Sequence, residues 1–342
     1  MRHLITGGSG FIGNLVARRL RQRGETVRVL DIWSDPTRPA DIEFAEGSVL
    51  DPARVTEAMR DVDVVHHNAA LVAQQSRLGD AIHAVNVEGS RIVAEAATAN
   101  GVRAVVHVSS TAVYGMPPDG PITEHTHPRP FEPYGKSKLA GERVMAEICG
   151  RAGVPLTTIR PRATLGAGRM GIFDILFDWI AHHKRVYVIG DGSNLMQFIH
   201  AHDLMDFYML ALDSGRHGTY NVGTDRFGTL RDDLESLIGD VGSRSRVTGL
   251  SARPTEAVLA ALYHLGLSPL VPWHYRTYRH GCWFDVAPLL AMGWRPAYSN
   301  GDMLRESYAW HQSSKGRSGL PGLSAHRAPL KRGFLALAKH LS

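Results

Sequence analysis

The segment FEPYGKSKLAGER, residues 131–143, carries one tyrosine, Tyr134, and two lysines, Lys136 and Lys138. A tyrosine phenol ionises near pH 10 and becomes a usable acid/base near neutrality only when a neighbouring cation favours the phenolate. A proline at position 133 and a helix-like run after it predict that the segment opens a helix. Residues four apart share a helix face and residues two apart do not, so the spacing selects Lys138 as the partner and sends Lys136 to solvent. A Tyr134–Lys138 pair is expected to move a proton on and off an alcohol or ketone oxygen. Upstream, VHVSSTAVYG ends a strand-like run at Val108 with Ser109, Ser110 and Thr111. A serine at that strand end can hold the same substrate oxygen. An isolated Y-x-x-x-K is common on amphipathic helices, so its weight comes from the elements around it.

Those elements begin with RHLITGGSGFIG, where Gly7, Gly10 and Gly13 stand in G-x-x-G-x-x-G spacing between a strand and a helix pattern running from Phe11 to Arg23. Gly7 permits a tight turn, Gly10 lets backbone N–H groups approach a pyrophosphate, and Gly13 lets the helix pack close to the strand. The next strand, TVRVLD, ends at Asp31, 18 residues after Gly13. A carboxylate there accepts hydrogen bonds from ribose hydroxyls and repels a 2′-phosphate, which favours NAD over NADP. Further strands are expected at VDVVHHNA, AVVHVSS and LTTIRP, with helices at ARVTEAMR and from about Ala81 to Asn100. Continuous Val/Ile/Leu strands alternating with helices predict an α/β fold, a Rossmann-type doubly wound parallel sheet. The expected division is 1–165 for the NAD-binding domain, with its sheet completed by later segments, then 166–311 for a smaller substrate-binding α/β subdomain. Residues 312–342 form a basic tail.

Bulk properties narrow the class. The net charge of +5 comes from the tail: after Glu306 there are six basic residues and no acidic one, so the rest carries 32 basic against 33 acidic residues. A neutral body argues against nucleic acid as a partner. No run of about 18 apolar residues marks a membrane span. MRHLITGG enters a strand with no room for a signal peptide, and two cysteines make no disulfide framework, so a cytoplasmic location is expected. The tail sequence PLKRGFLALAKHLS spaces Leu330, Phe334, Leu337 and Leu341 as a short basic amphipathic helix, with weak membrane-surface contact as its functional reading. The histidine pairs lack carboxylates or cysteines at ligand spacing, and no metal site is expected.

Taken together, the glycine turn, SSTAVYG and Tyr134-x-x-x-Lys138 resemble the extended short-chain dehydrogenase/reductase superfamily, within it the NAD-dependent epimerase/dehydratase proteins acting on nucleotide sugars. HHNAA (66–70), NVEGS (86–90), IRP (159–161), QFIHAHDL (197–204), YNVG (220–223) and FDVAPLLAMGWRP (284–296) match in order. The resemblance implies bound NAD that takes a hydride from a sugar carbon while Tyr134 takes the hydroxyl proton. It assigns the serine role to Ser110. It places Phe11, Ile12, Ser48, Val49, Ala69, Ala70, Pro161, Tyr134 and Lys138 against the cofactor, beside Gly7, Gly10, Gly13 and Asp31. It implies a homodimer. Three departures stand out. Thr111 and Ala112 occupy positions where dehydratases of the family carry acids, which argues against elimination. Ser48 replaces an aspartate in an E-G-D pattern, and Asp51 reads as the N-cap of the next helix. Met196 and Gln197 replace an R-D pair whose arginine meets nucleotide phosphates, and Arg162, Arg169, Arg276 and Arg279 are the possible replacements; the candidate substrate residues are Thr111, Arg162 and Arg276. The expected function is an NAD-dependent nucleotide-sugar epimerase. The alternative is an NAD(P)-dependent dehydrogenase or ketoreductase with net redox on a non-nucleotide alcohol or ketone.

Overall fold

The computed structural model describes residues 1–72, 79–169, 172–268 and 270–314. In chain order its strands are β1 (Arg2–Thr6), β2 (Thr26–Asp31), β3 (Glu43–Glu46), β4 (Val64–His67), β5 (Ala104–Val108), β6 (Leu156–Pro161), β7 (Ala163–Leu165), β8 (Val186–Ile189), β9 (Phe198–His200), β10 (Gly218–Val222) and β11 (Val247–Leu250). Its helices are α1 (Phe11–Gln22), α2 (Pro52–Ala58), α3 (Asp80–His83), α4 (Gly89–Ala99), α5 (Pro133–Ala152), α6 (Phe173–Ala181), α7 (Ala201–Ser214), α8 (Leu230–Asp240), α9 (Ala252–His264), α10 (Pro272–Thr277), α11 (Ala287–Ala291) and α12 (Asn300–Ser313).

Seven strands form one parallel sheet in the order β10–β6–β5–β4–β1–β2–β3. The chain winds outward from β1 through β2 to β3, then returns to place β4 on the other side of β1. That reversal is the switch point beyond whose strand ends open α/β sheets bind ligands. Alternation along each strand feeds two cores. Leu4, Val65 and Val105 pack with Val55, Ile92, Val93 and Met145 of α2, α4 and α5. Ile5, Val29, Val106 and Ile159 pack with Val16 and Leu20 of α1 and with Phe207 and Tyr208 of α7. Each fully buried aliphatic side chain contributes about 1.5–3 kcal/mol. A third cluster unites Phe173, Phe177, Phe198, Leu234 and Met303 around the later helices.

The Rossmann-type α/β sheet agrees with the sequence expectation. Two local features differ from it. Strand β3 pairs with β2 although EFAE offers almost no apolar alternation. The helix expected over 81–100 is interrupted by a π-helical turn, Ala84–Glu88, between α3 and α4. The tail's amphipathic helix and its membrane-surface contact lie outside the described residues. No helix among the described residues is long and apolar enough to cross a membrane.

Candidate active site

Strand β1 runs directly into the glycine turn. Gly7 has φ +69°, and a Cβ on it would lie 2.6 Å from the Ala69 backbone. A Cβ on Gly13 would lie 2.3 Å from the Gly7 carbonyl oxygen. Both positions therefore exclude a side chain, and the turn lies flat against the residues after β4. Gly10 donates its N–H to that same carbonyl at 3.0 Å and starts α1, whose first residues are Phe11 and Ile12. Helix α1 has no side-chain cap and no acid in its first turn, so its own N–H groups are left for an anion. Asp31 ends β2 beside this turn and accepts the Ser9 N–H at 3.0 Å. Burial pushes its carboxyl above the ordinary value, while backbone N–H groups of Ser9, Ile32 and Trp33 pull it back. A cradle that one Cβ would fill, an uncapped helix start and an acidic strand end fit a dinucleotide.

The other expected cofactor residues flank this cradle. Val49 is buried among the α2–α4 core residues. The Ser48 hydroxyl accepts the Leu50 N–H at 3.1 Å. Asp51 caps α2 by accepting the N–H groups of Ala53 and Arg54, with Pro52 next to it. Ala69 and Ala70 follow β4, and Pro161 is buried at the end of β6. The π-helical turn ties the loop after β4 to α5. Its Asn86 bonds both backbone groups of Leu71 (2.8 and 3.0 Å) and the Ser137 hydroxyl (2.9 Å).

Helix α5 places Tyr134 in its first turn. Glu132 caps it, its carboxylate accepting the N–H groups of Tyr134 (2.9 Å) and Gly135 (2.5 Å). Lys138 is buried and donates from Nζ to the Val108 carbonyl at 2.7 Å, whereas Lys136 is exposed. Tyr134 lies close enough to Ser110 for that hydroxyl to favour its phenolate. Ser110 accepts the Ala112 N–H at 3.1 Å, which fixes it at the start of the 3₁₀ turn Thr111–Tyr114. The neighbouring Ser109 hydroxyl is buried with no partner among the described residues.

The electrostatics correct one expectation. Burial pushes the Tyr134 phenol above its ordinary value; the Ser110 hydroxyl and the Arg169 charge pull it down, and Glu132 pushes it further up. Lys138 is not among the groups that shift it; its ammonium donates to the Val108 carbonyl. Burial lowers Lys138 itself to about 8, against the opposing pull of Glu142. Below it lies a neutral layer. His67 bonds Thr6 (2.7 Å) and Ser90 (3.0 Å), stacks on His107 at 5.3 Å, and is pushed down to about 3 by burial and by the Lys138 charge. His66 faces the other side of the sheet, toward His3 and Tyr208.

Of the candidate substrate residues, Thr111 and Arg162 meet, with Arg162 Nη1 donating to Thr111 Oγ1 at 3.1 Å. Arg276 is exposed and lies over the Phe131 ring at 4.9 Å, three residues before Tyr134. Arg169 lies over Phe11 at 5.1 Å, with Nη1 buried and unpartnered among the described residues, and burial lowers its guanidinium to about 10. Thr111 and Ala112 are buried and bring no carboxylate to Tyr134. Sequence reasoning missed Glu132, although an acid directly before Pro133 could have signalled a helix cap. It also missed the buried cluster of Arg160, Glu142, Tyr114 and Asn221, whose members sit on four different elements.

A parallel sheet with a glycine turn at its switch point, and a Ser–Tyr–Lys constellation on the neighbouring strand and helix, define an extended short-chain dehydrogenase/reductase. Residues 3–223 match the NAD dependent epimerase/dehydratase family, and the chain belongs to that family. It is 38% identical over 335 residues to the uncharacterized protein y4nG of Sinorhizobium fredii, covering 98% of this chain and 84% of that one. It is 27% identical over 351 residues to the UDP-glucose 4-epimerase of Lactobacillus helveticus, covering 92% and 98%. The structure of the Thermus thermophilus UDP-glucose 4-epimerase complex with NAD matches with a TM-score of 0.74 and 26% identity, over 92% of this chain and 100% of that one. The chain is thus an NAD-dependent enzyme of the extended type.

Proposed function

We propose that this enzyme epimerises a nucleotide sugar by oxidising one sugar hydroxyl to a transient ketone and reducing it again. The observation that carries the reading is the buried Lys138, bonded to the Val108 carbonyl at the strand end that leads to Ser110 and set one turn after Tyr134 on α5, with no acid at 111 or 112. The likeness to UDP-glucose 4-epimerases supports the substrate class. NAD, when bound, supplies reversible acceptance of a hydride from the sugar carbon. Tyr134 takes the hydroxyl proton on its phenolic oxygen and later returns it to the ketone oxygen, so one residue serves both directions. Ser110 holds that oxygen in line. Arg169 favours the phenolate form of Tyr134, and Lys138 adds a buried positive charge on the same helix face. Positions 111 and 112 carry no carboxylate to protonate a leaving hydroxyl, and the cycle ends with no net redox. Pairing of two chains through α4 and α5 and a cytoplasmic location belong to the same reading and rest on the family resemblance.

The test is an assay of purified protein against a panel of UDP- and dTDP-sugars with no cofactor added. The expected result is an epimer formed with no lasting absorbance change at 340 nm. Turnover that requires stoichiometric NAD(P)H would instead establish a dehydrogenase or ketoreductase.

A further inference from the structure

Arg162 follows β6 and is only 4% exposed. Its backbone N–H is held by the Val222 carbonyl at 2.9 Å, which fixes where the side chain starts. Its Nε donates to the Gln197 carbonyl at 3.0 Å, and Nη1 donates to Thr111 Oγ1 at 3.1 Å and to Cys282 Sγ at 3.0 Å. Nη2 reaches the Met196 thioether at 3.7 Å, a poor acceptor. The guanidinium also stands 5.6 Å from the Phe284 ring centre. Every one of these partners is neutral. Among the described residues Arg162 has no carboxylate partner.

This is an unusual way to bury a guanidinium. Its positive charge cannot be shed by losing a proton, and a buried charge is strongly disfavoured unless an opposite charge meets it. Four segments converge on it: the β6–β7 junction, β9 with the two residues before it, the 3₁₀ turn after β5, and residues 282–284. None of them supplies an acid. The weakly served Nη2 is the donor left for a ligand. Thr111, bonded to Nη1, directly follows Ser110, so the uncompensated charge lies beside the group that holds the reacting oxygen.

We propose that Arg162 is a substrate-recognition residue whose guanidinium pairs with an anionic oxygen group of the substrate, either a sugar carboxylate or the diphosphate. This rests on the reading that Ser110 and Tyr134 mark the reacting end of the substrate. It assigns specificity to a position on β6–β7 and makes an anionic substrate a requirement of this chain.

The experiment uses the full chain with its carried NAD, as wild type, Arg162→Met and Arg162→Lys. Binding of sodium pyrophosphate, glucuronate, UDP, UDP-glucose and UDP-glucuronic acid is measured by calorimetry, with NAD content and ligand-free melting temperature recorded. Arg162→Met is expected to keep NAD and to melt at or above the wild-type temperature, because an uncompensated buried charge has been removed. It should weaken binding of the anionic probes by roughly 10- to 100-fold, the loss expected for a charge-assisted hydrogen bond. Arg162→Lys should recover part of that loss. Weakened pyrophosphate and UDP binding identifies the diphosphate as the group read. Weakening confined to glucuronate and UDP-glucuronic acid identifies the carboxylate. If Arg162→Met does not fold, unchanged affinities in Arg162→Lys overturn the proposal. Variants that melt lower and bind every probe like wild type overturn it too, as does a wild type that binds none of the five. Arg162-dependent binding of pyrophosphate or glucuronate, with no binding of UDP or either UDP-sugar, sustains the proposal while refuting the nucleotide-sugar reading.

Discussion

Arg160 and Arg162 stand two residues apart, one within β6 and one just beyond its end, and both are buried, at 7% and 4% exposure. Their surroundings differ in kind. Arg160 meets the Glu142 carboxylate with two bonds, at 2.9 and 2.5 Å, and donates to the Tyr114 hydroxyl at 2.7 Å; Tyr114 in turn donates to Asn221 at 2.9 Å. That cluster links β6, α5, the 3₁₀ turn and β10, and its charges are matched within the protein. Arg162 has donors matched only by neutral groups. The first arginine is scaffold: it locks the helix carrying Tyr134 to the strand beside it. The second is incomplete until a ligand supplies the charge. Residues of the matched cluster should therefore govern stability, and residues of the unmatched one should govern binding and turnover.

The sharpest separation is expected from Tyr134→Phe, which removes only the phenolic oxygen. Turnover should fall by about 10²- to 10⁴-fold, the usual contribution of a positioned acid/base, while NAD content and melting temperature stay at wild-type values. A variant that keeps full activity would place the chemistry elsewhere. Glu142→Gln should do the reverse. It leaves Arg160 buried without its counter-charge and should destabilise the fold by about 3–5 kcal/mol, measured by urea unfolding. A loss under about 1 kcal/mol would erase the distinction between the two arginines.

Lys138 gives a pH-dependent version of the same comparison. Its ammonium is lowered by burial to about 8 from an ordinary 10.5. Below about pH 8 both folded and unfolded chains carry the charge, and the folded one bears its burial in full. Between about 8 and 10.5 the folded chain releases the proton first, so this residue's contribution to stability rises with pH, by roughly 3 kcal/mol across that window. Urea unfolding at pH 7.5, 9 and 10.5 should show the rise in wild type and its loss in Lys138→Met. A parallel pH dependence in both proteins would contradict it. The smallest effect is expected far from either arginine. Asp51→Ala removes the cap of α2 and should lower stability by about 1 kcal/mol with activity unchanged.

Much of this arrangement was legible in the sequence because it depends on local rules. Four-residue spacing singled out Lys138 over Lys136, Gly7 and Gly13 marked a turn that excludes side chains, and continuous aliphatic strands announced a two-faced parallel sheet. What was not legible depends on partners distant in sequence or on burial. The bond between Arg160 and Glu142 spans 18 residues and two elements. The short edge strand β3 is made by pairing with β2, since Glu43–Glu46 has too little apolar pattern to announce itself. The upward shift of Tyr134 follows from burial of the phenol, and Lys138 donates to the Val108 carbonyl; spacing alone reveals neither. Arg162 could be named as a candidate for an anion, yet only the structure shows that its partners are all neutral.

The central claim is that one hydrogen leaves the sugar carbon and returns to that same carbon within a single active site. Its most direct test is turnover of UDP-glucose, or of whichever panel sugar is epimerised, carrying deuterium at the carbon that inverts, followed by mass spectrometry of the product. The expected product is an epimer that retains the deuterium at that carbon through many turnovers, with none in the solvent. Deuterium lost to water, or recovered on cofactor released at each turnover, would contradict the claim.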